Sequence, residues 1–148
     1  MKVPLNKSAP VISEGKIEIR THVSVVWNVL TGIGDWPSWQ EPVSKTDLRG
    51  PLAEGTVFLW KAGGLNFKSE IHTIIPESEF GWTGETFGAN AIHNWRFTPS
   101  DLGTLVEVEE SLEGFMPSLF KSIFQRNLNA AMKKQLEELK VEAERRGG

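Results

Sequence analysis

The chain contains no cysteine and no tyrosine among its 148 residues. Without thiols it forms neither disulfides nor thiolate metal sites, and thiol redox chemistry is excluded. Without tyrosine, its 6 tryptophans and 8 phenylalanines offer flat apolar surface with few hydroxyls. No apolar run approaches the roughly 20 residues that a membrane-spanning helix needs. The opening MKVPLNKSAP has a lysine but no apolar stretch behind it, so the chain reads as soluble and unprocessed, and a cytoplasmic location fits. Charge of one sign is also missing. Its 16 lysines and arginines are scattered among 19 acids for a net charge of −3, which gives no support for nucleic-acid binding. With no linker, repeat or low-complexity segment, residues 1–148 fit a single domain with one core.

What is present is mostly alternation. Val11 to Thr21 places Val11, Ile17 and Ile19 on one side, and the polar stretch Ser13 to Gly15 predicts a bulge. Ser24 is a candidate cap for a short helix over VVWNVLTG, which Gly32 and Gly34 end before another helical turn around Trp36 to Gln40. Six β-like segments follow: Val43 to Arg49, Thr56 to Ala62, Leu65 to Ile75, Glu79 to Phe87, Ala89 to Thr98 and Thr104 to Glu113. Their succession implies an antiparallel meander. From Pro117 to about Arg145 apolar residues recur at helical spacing, predicting one long amphipathic helix of roughly 40 Å.

Turn chemistry sets the registers. Gly63-Gly64 suits a type I′ hairpin, so Trp60 should oppose Phe67. A connection at Glu77-Ser78 would pair Phe80 with Ile75 and Trp82 with Thr73. That register turns Phe67, Ile71, Thr73 and Ile75 inward, with Lys68, Glu70 and His72 outward. Closing the last hairpin through Ser100 to Gly103 sets Trp95 against Val108 and His93 against Glu110. A titratable pair thereby lands on an apolar face, where burial is costly unless the groups satisfy each other, water or a ligand.

The element order, with the segments VVWNVLTGIGDWPSW, FGWTG, HNWRF, GTLVEVEESLEG and NLNAAMKKQLEELKVEAE, resembles the START/Bet v 1-like (SRPBCC) superfamily, particularly its polyketide cyclase/dehydrase-type bacterial branch. The resemblance covers nearly the whole chain from about Val11. It implies an α+β helix-grip fold: a seven-stranded curved antiparallel sheet, two short helices and a long C-terminal helix over an apolar cavity. It also implies binding of lipids, sterols, hormones or polyketides, with catalysis in a minority of members. Since one fold hosts many functions, the site must carry the functional argument.

Trp60, Phe67, Ile71, Trp82 and Trp95 fall on the inward face, where they either fill the core or line a pocket for a planar or lipid-like ligand. Trp39 is a candidate for the pocket entrance. His93 and Glu110 suit a mutually satisfied pair, a polar anchor for a ligand carbonyl or hydroxyl, or an acid/base pair acting beside a ketone. No nucleophile with its own base and no oxyanion donor is identifiable. The leading expectation is therefore a protein that binds a small hydrophobic ligand in an internal cavity. A cyclase/aromatase-type enzyme using His93 and Glu110 is the alternative, followed by a protein-interaction module. His22, His72 and His93 have no second ligand at metal-binding spacing, and Gly63-Gly64 reads as a turn, so neither metal nor nucleotide cofactor is expected.

Overall fold

A computed structural model describes residues 2–148. The alternating segments form seven strands, β1 (Val11–Ile19), β2 (Val43–Leu48), β3 (Val57–Ala62), β4 (Leu65–Ile75), β5 (Glu79–Thr86), β6 (Ala89–Ser100) and β7 (Gly103–Glu113). Between β1 and β2 lie α1 (Val23–Thr31), a 3₁₀ turn at Ile33–Asp35 and α2 (Trp36–Trp39); α3 (Phe115–Leu119) and α4 (Lys121–Gly147) end the chain. All strand pairs are antiparallel in one sheet of order β1-β7-β6-β5-β4-β3-β2. The meander accounts for β2 to β7, and β1 closes beside β7. This is the helix-grip arrangement: α4 lies along β1 on the inward face and buries Leu128, Met132, Leu136, Leu139 and Ala143.

Close approach of α4 depends on Gly15, because a Cβ there would sit 2.9 Å from Leu136 Cδ1 and 3.6 Å from Met132 Sδ. The expected bulge at Ser13 to Gly15 is absent: β1 pairs with β7 without interruption from Val11 to Ile19. Ser13 and Gly15 break the apolar alternation because they face polar Asn129 and the crowded helix, respectively. The cap of α1 also differs from expectation. His22, not Ser24, is the N-cap, with His22 Nδ1 accepting from Ser24 N–H at 3.1 Å.

At the Gly63-Gly64 turn both residues take positive φ (56° and 82°), and Trp60 opposes Phe67. The β4–β5 register is shifted from expectation. Glu77 adopts φ 61° and Ser78 N–H donates to Ile75 O, so Ile75 pairs with Glu79 and Ile74 with Phe80. A bulge at His72 then moves the register one step further and sets Ile71 opposite Trp82. In consequence Ile74 packs on the core, Ile75 is exposed, and Thr73 opposes Gly81 instead of Trp82. The terminal helix is likewise interrupted. Phe120, at φ −120° and ψ 46°, separates α3 from α4, although neither glycine nor proline marks that position.

Residues 2–9 cross the outer sheet face. Val3 N–H donates to His72 Nδ1 (3.1 Å), Asn94 Nδ2 donates to Val3 O (3.0 Å), and Asn6 Nδ2 donates to Glu113 (2.7 Å). His72 points outward as expected, yet this strap buries it.

Candidate functional site

One row of facing residues runs across the inward side of the sheet: Ser13 on β1, Glu110 on β7, His93 on β6, Trp82 on β5 and Ile71 on β4. His93 Nδ1 and a Glu110 carboxylate oxygen lie 2.5 Å apart, with side-chain exposures of only 9% and 13%. Trp82 stacks on the imidazole at 4.5 Å and 17°, and Trp95 at 5.5 Å and 18°. Rings and carboxylate together hold the imidazole plane. The carboxylate accepts from Nδ1–H, which leaves the ring edge at Nε2 as the working atom of the pair. That Nε2 is buried and has no partner among the described residues.

Three more buried nitrogens lack partners among the described residues: Trp39 Nε1, Trp95 Nε1 and Gln40 Nε2. All three are N–H donors, so the interior offers more donors than acceptors. Gln40 is oriented by its own carbonyl, which accepts from Gln135 Nε2 of α4 at 3.1 Å. On the other flank, Ser13 Oγ donates to Asn129 Oδ1 at 2.7 Å and Gln125 Nε2 donates to Ile12 O at 2.7 Å. Burying an unpaired polar group costs about 1–3 kcal/mol. Four such atoms in one core are a cost that a polar partner would remove.

Besides His93 and Glu110, the sequence-predicted site residues divide into three pairs. Ile71 and Trp82 are locked in the core, where Trp82 packs against Trp36, Phe58 and Phe80 at 5.2–5.9 Å. Trp39 and Trp95 are also buried, but their indole nitrogens are unpartnered. Trp60 and Phe67 are half-buried and stacked at 4.8 Å, with Trp60 Nε1 donating to Ser69 Oγ at 3.0 Å. Next to them on the inward face come three small residues in register, Ser69, Gly84 and Ala91, followed by half-buried Leu112. Of these, Ser69 is buried and Gly84 and Ala91 are partly exposed. Two surface depressions, of about 780 and 470 Å³, open instead on the outer sheet face, beside Lys61 and Lys68 and beside Glu107 and Glu109. Neither contains His93 or Glu110, although Trp60 and Phe67 line the first and Trp95 lines the second.

A family model described as polyketide cyclase / dehydrase and lipid transport matches residues 10–144. The chain belongs to this family. Solved structures agree on the fold. An aromatase/cyclase, Zhui, from Streptomyces sp. R1128 superposes with TM-score 0.81 at 15% identity, covering 91% of this chain and 94% of that one. A hypothetical protein from Helicobacter pylori gives 0.80 at 15% identity, covering 97% and 98% of the two chains. A START superfamily protein from Mycobacterium smegmatis gives 0.78 at 10% identity, covering 90% and 97%. No protein with a curated description matches the chain significantly.

Within this member of the polyketide cyclase / dehydrase and lipid transport family, the sequence placed His93 beside Glu110 but did not single out Gln40, Ser13 or Asn129. Ser13 had a signal, since its polarity breaks the apolar side of β1 opposite Glu110. Gln40 and Asn129 had none, because one ends a single helical turn and the other is one of several polar residues along α4. Among the described residues no group of three or more His, Asp or Glu side chains is gathered for a metal.

Proposed function

We propose that this chain binds a small hydrophobic ligand between the sheet and α4, with His93 and Glu110 orienting a polar group of that ligand. The observation that carries the reading is the buried, unpartnered Nε2 edge of His93, fixed by Glu110 and by two stacked indoles. Trp39, Trp95 and Gln40 add N–H donors, so the favoured ligand is an apolar molecule bearing oxygen acceptors, with a hydroxyl or acidic proton for His93. Trp60, Phe67 and Ile71 supply apolar walls. Family membership supports a ligand of lipid or polyketide type.

Purified protein should be titrated with a panel of carbonyl-bearing apolar compounds and matched hydrocarbons, following tryptophan fluorescence. His93→Ala and Glu110→Gln should each weaken the best ligand by roughly tenfold, the worth of one buried polar contact. Equal affinity for ketone and hydrocarbon, together with wild-type affinity in both folded variants, rules the reading out.

A second reading follows from the same dyad. With Nδ1–H held by the carboxylate, Nε2 can take a proton from carbon flanked by carbonyls, and Glu110 would stabilise the resulting imidazolium. The enolate carbon would then attack a second carbonyl of the same molecule, and the proton returned from Nε2 to the resulting alkoxide gives the aldol; removal of a second α-proton by Nε2, with that proton passing to the departing hydroxyl, releases water and leaves a C=C bond. Turnover of a polyketone that persists in His93→Ala would remove the pair from any such chemistry.

A further inference from the structure

We propose that the end of the molecule formed by the β5–β6 turn, α3 and the first turns of α4 docks onto an anionic lipid surface. The argument begins with exposure. Phe87 is 82% exposed in its turn, Leu119 71%, Phe115 54%, Ile123 51% and Phe120 46%. These are not scattered side chains of the kind every surface carries. Phe87 and Phe115 meet edge to face at 5.6 Å, Met116 N–H donates to Gly88 O, and Leu119, Phe120 and Ile123 follow within two helical turns.

Charge supplies the occupant. Residues 114–136 contain Lys121, Arg126, Lys133 and Lys134 and no acid, although the whole chain carries a net charge of −3. Lys134 is paired with Glu41 and Glu138, whereas Lys121, Arg126 and Lys133 form no ion pair among the described residues. Carboxylates return to α4 only from Glu137 onward, where Glu138 accepts from Glu41 N–H beyond the end of α2. Exposed phenylalanine and leucine beside unneutralised lysine and arginine, on short helical pieces, is the signature of a segment lying in a bilayer interface. Each cation near an anionic surface adds attraction that salt screens.

The same feature accounts for the break at Phe120. It separates α3 from the core-packed part of α4, so Leu119 and Phe120 stay exposed while Leu128 and Met132 stay buried. Lipid contact at this end would also stand beside the Ser69, Gly84 and Ala91 end of the grip. The proposal does not rest on the ligand reading, because its test involves no ligand.

The experiment is co-sedimentation of the full chain with vesicles of phosphatidylcholine, with and without phosphatidylglycerol, at low and high salt. The wild type should bind phosphatidylglycerol vesicles and release as salt rises. Leu119→Glu with Ile123→Glu should reduce binding by about tenfold or more, since charge is driven into the apolar contact. Lys121→Glu with Arg126→Glu should abolish the preference for phosphatidylglycerol. Val141→Glu, at another exposed apolar position of α4, should bind as the wild type does. Phe87→Ser gives a second reading should the double helix variant fail to fold, as judged by near-UV circular dichroism. Absence of wild-type binding, or equal losses in Val141→Glu and Leu119→Glu/Ile123→Glu, overturns the proposal. A self-association that Leu119→Glu dissolves, without vesicle binding, overturns it in favour of a second copy as the occupant.

Discussion

His93 on β6 and His72 on β4, with β5 between them, show how strongly surroundings decide what a histidine does. His93 faces inward with a carboxylate on one nitrogen and nothing on the other. His72 faces outward with both nitrogens occupied: Nδ1 accepts from Val3 N–H and Thr73 Oγ1, and Nε2–H donates to Asn94 Oδ1 at 2.8 Å. That pattern requires the neutral ring, since a proton on Nδ1 would confront the Val3 N–H. Burial lowers the His72 pKa below 6.5, opposed in part by the hydrogen bond to Asn94. The unfolded chain therefore takes up a proton that the folded one refuses, and the contribution of His72 to stability is complete above pH 6.5 and declines as pH falls toward the folded value. Urea midpoints measured across this window should fall with pH in the wild type and fall less in His72→Gln. Identical slopes would show that the strap contact is not linked to protonation.

Elements obey local signals where a special backbone shape is needed and ignore them where packing decides. Gly63-Gly64 and the turn closing Ser100 against Gly103 were legible in the sequence, because turn geometry and strand alternation act over a few residues. Through the second of these turns the His93–Glu110 register was legible as well. The bulge at His72 was not, because it depends on Val3 and Asn94, 69 and 22 residues away in the chain. Gly15 was misread as part of a bulge for the same reason: its role is to admit Leu136, 121 positions later. Gly15→Val should lift α4 from β1 and cost about 1–3 kcal/mol, the usual range for overfilling a packed contact. Chemical denaturation would read this as a lower midpoint, and an unchanged midpoint would mean that α4 is not held where Gly15 places it.

For the whole molecule, aromatic packing and polar vacancy occupy different parts of one interior. Trp36 contacts Phe58, Trp60 and Trp82 at 5.5–5.6 Å and fills the half beneath α2. No helix of the described residues is long and apolar enough to cross a membrane. A ligand that binds only the folded state should stabilise it by about 2.7 kcal/mol at a hundred times its Kd. Thermal melts should accordingly shift upward with the tightest ketone of the panel, and His93→Ala should show a smaller shift at the same concentration. A ligand-independent Tm at saturating concentrations would exclude coupling between this interior and the fold.

By itself the sequence determined the strand meander, the glycine hairpin, the inward pairing of His93 with Glu110 and the family resemblance. All of these rest on alternation, turn residues and segment order, which are short-range properties of the chain. Tertiary structure alone decided the shifted β4–β5 register, the break at Phe120, the strap over His72 and the burial of Gln40 against α4. Each depends on groups far apart in sequence competing for the same space or the same hydrogen bond, and no local pattern encodes the outcome of that competition.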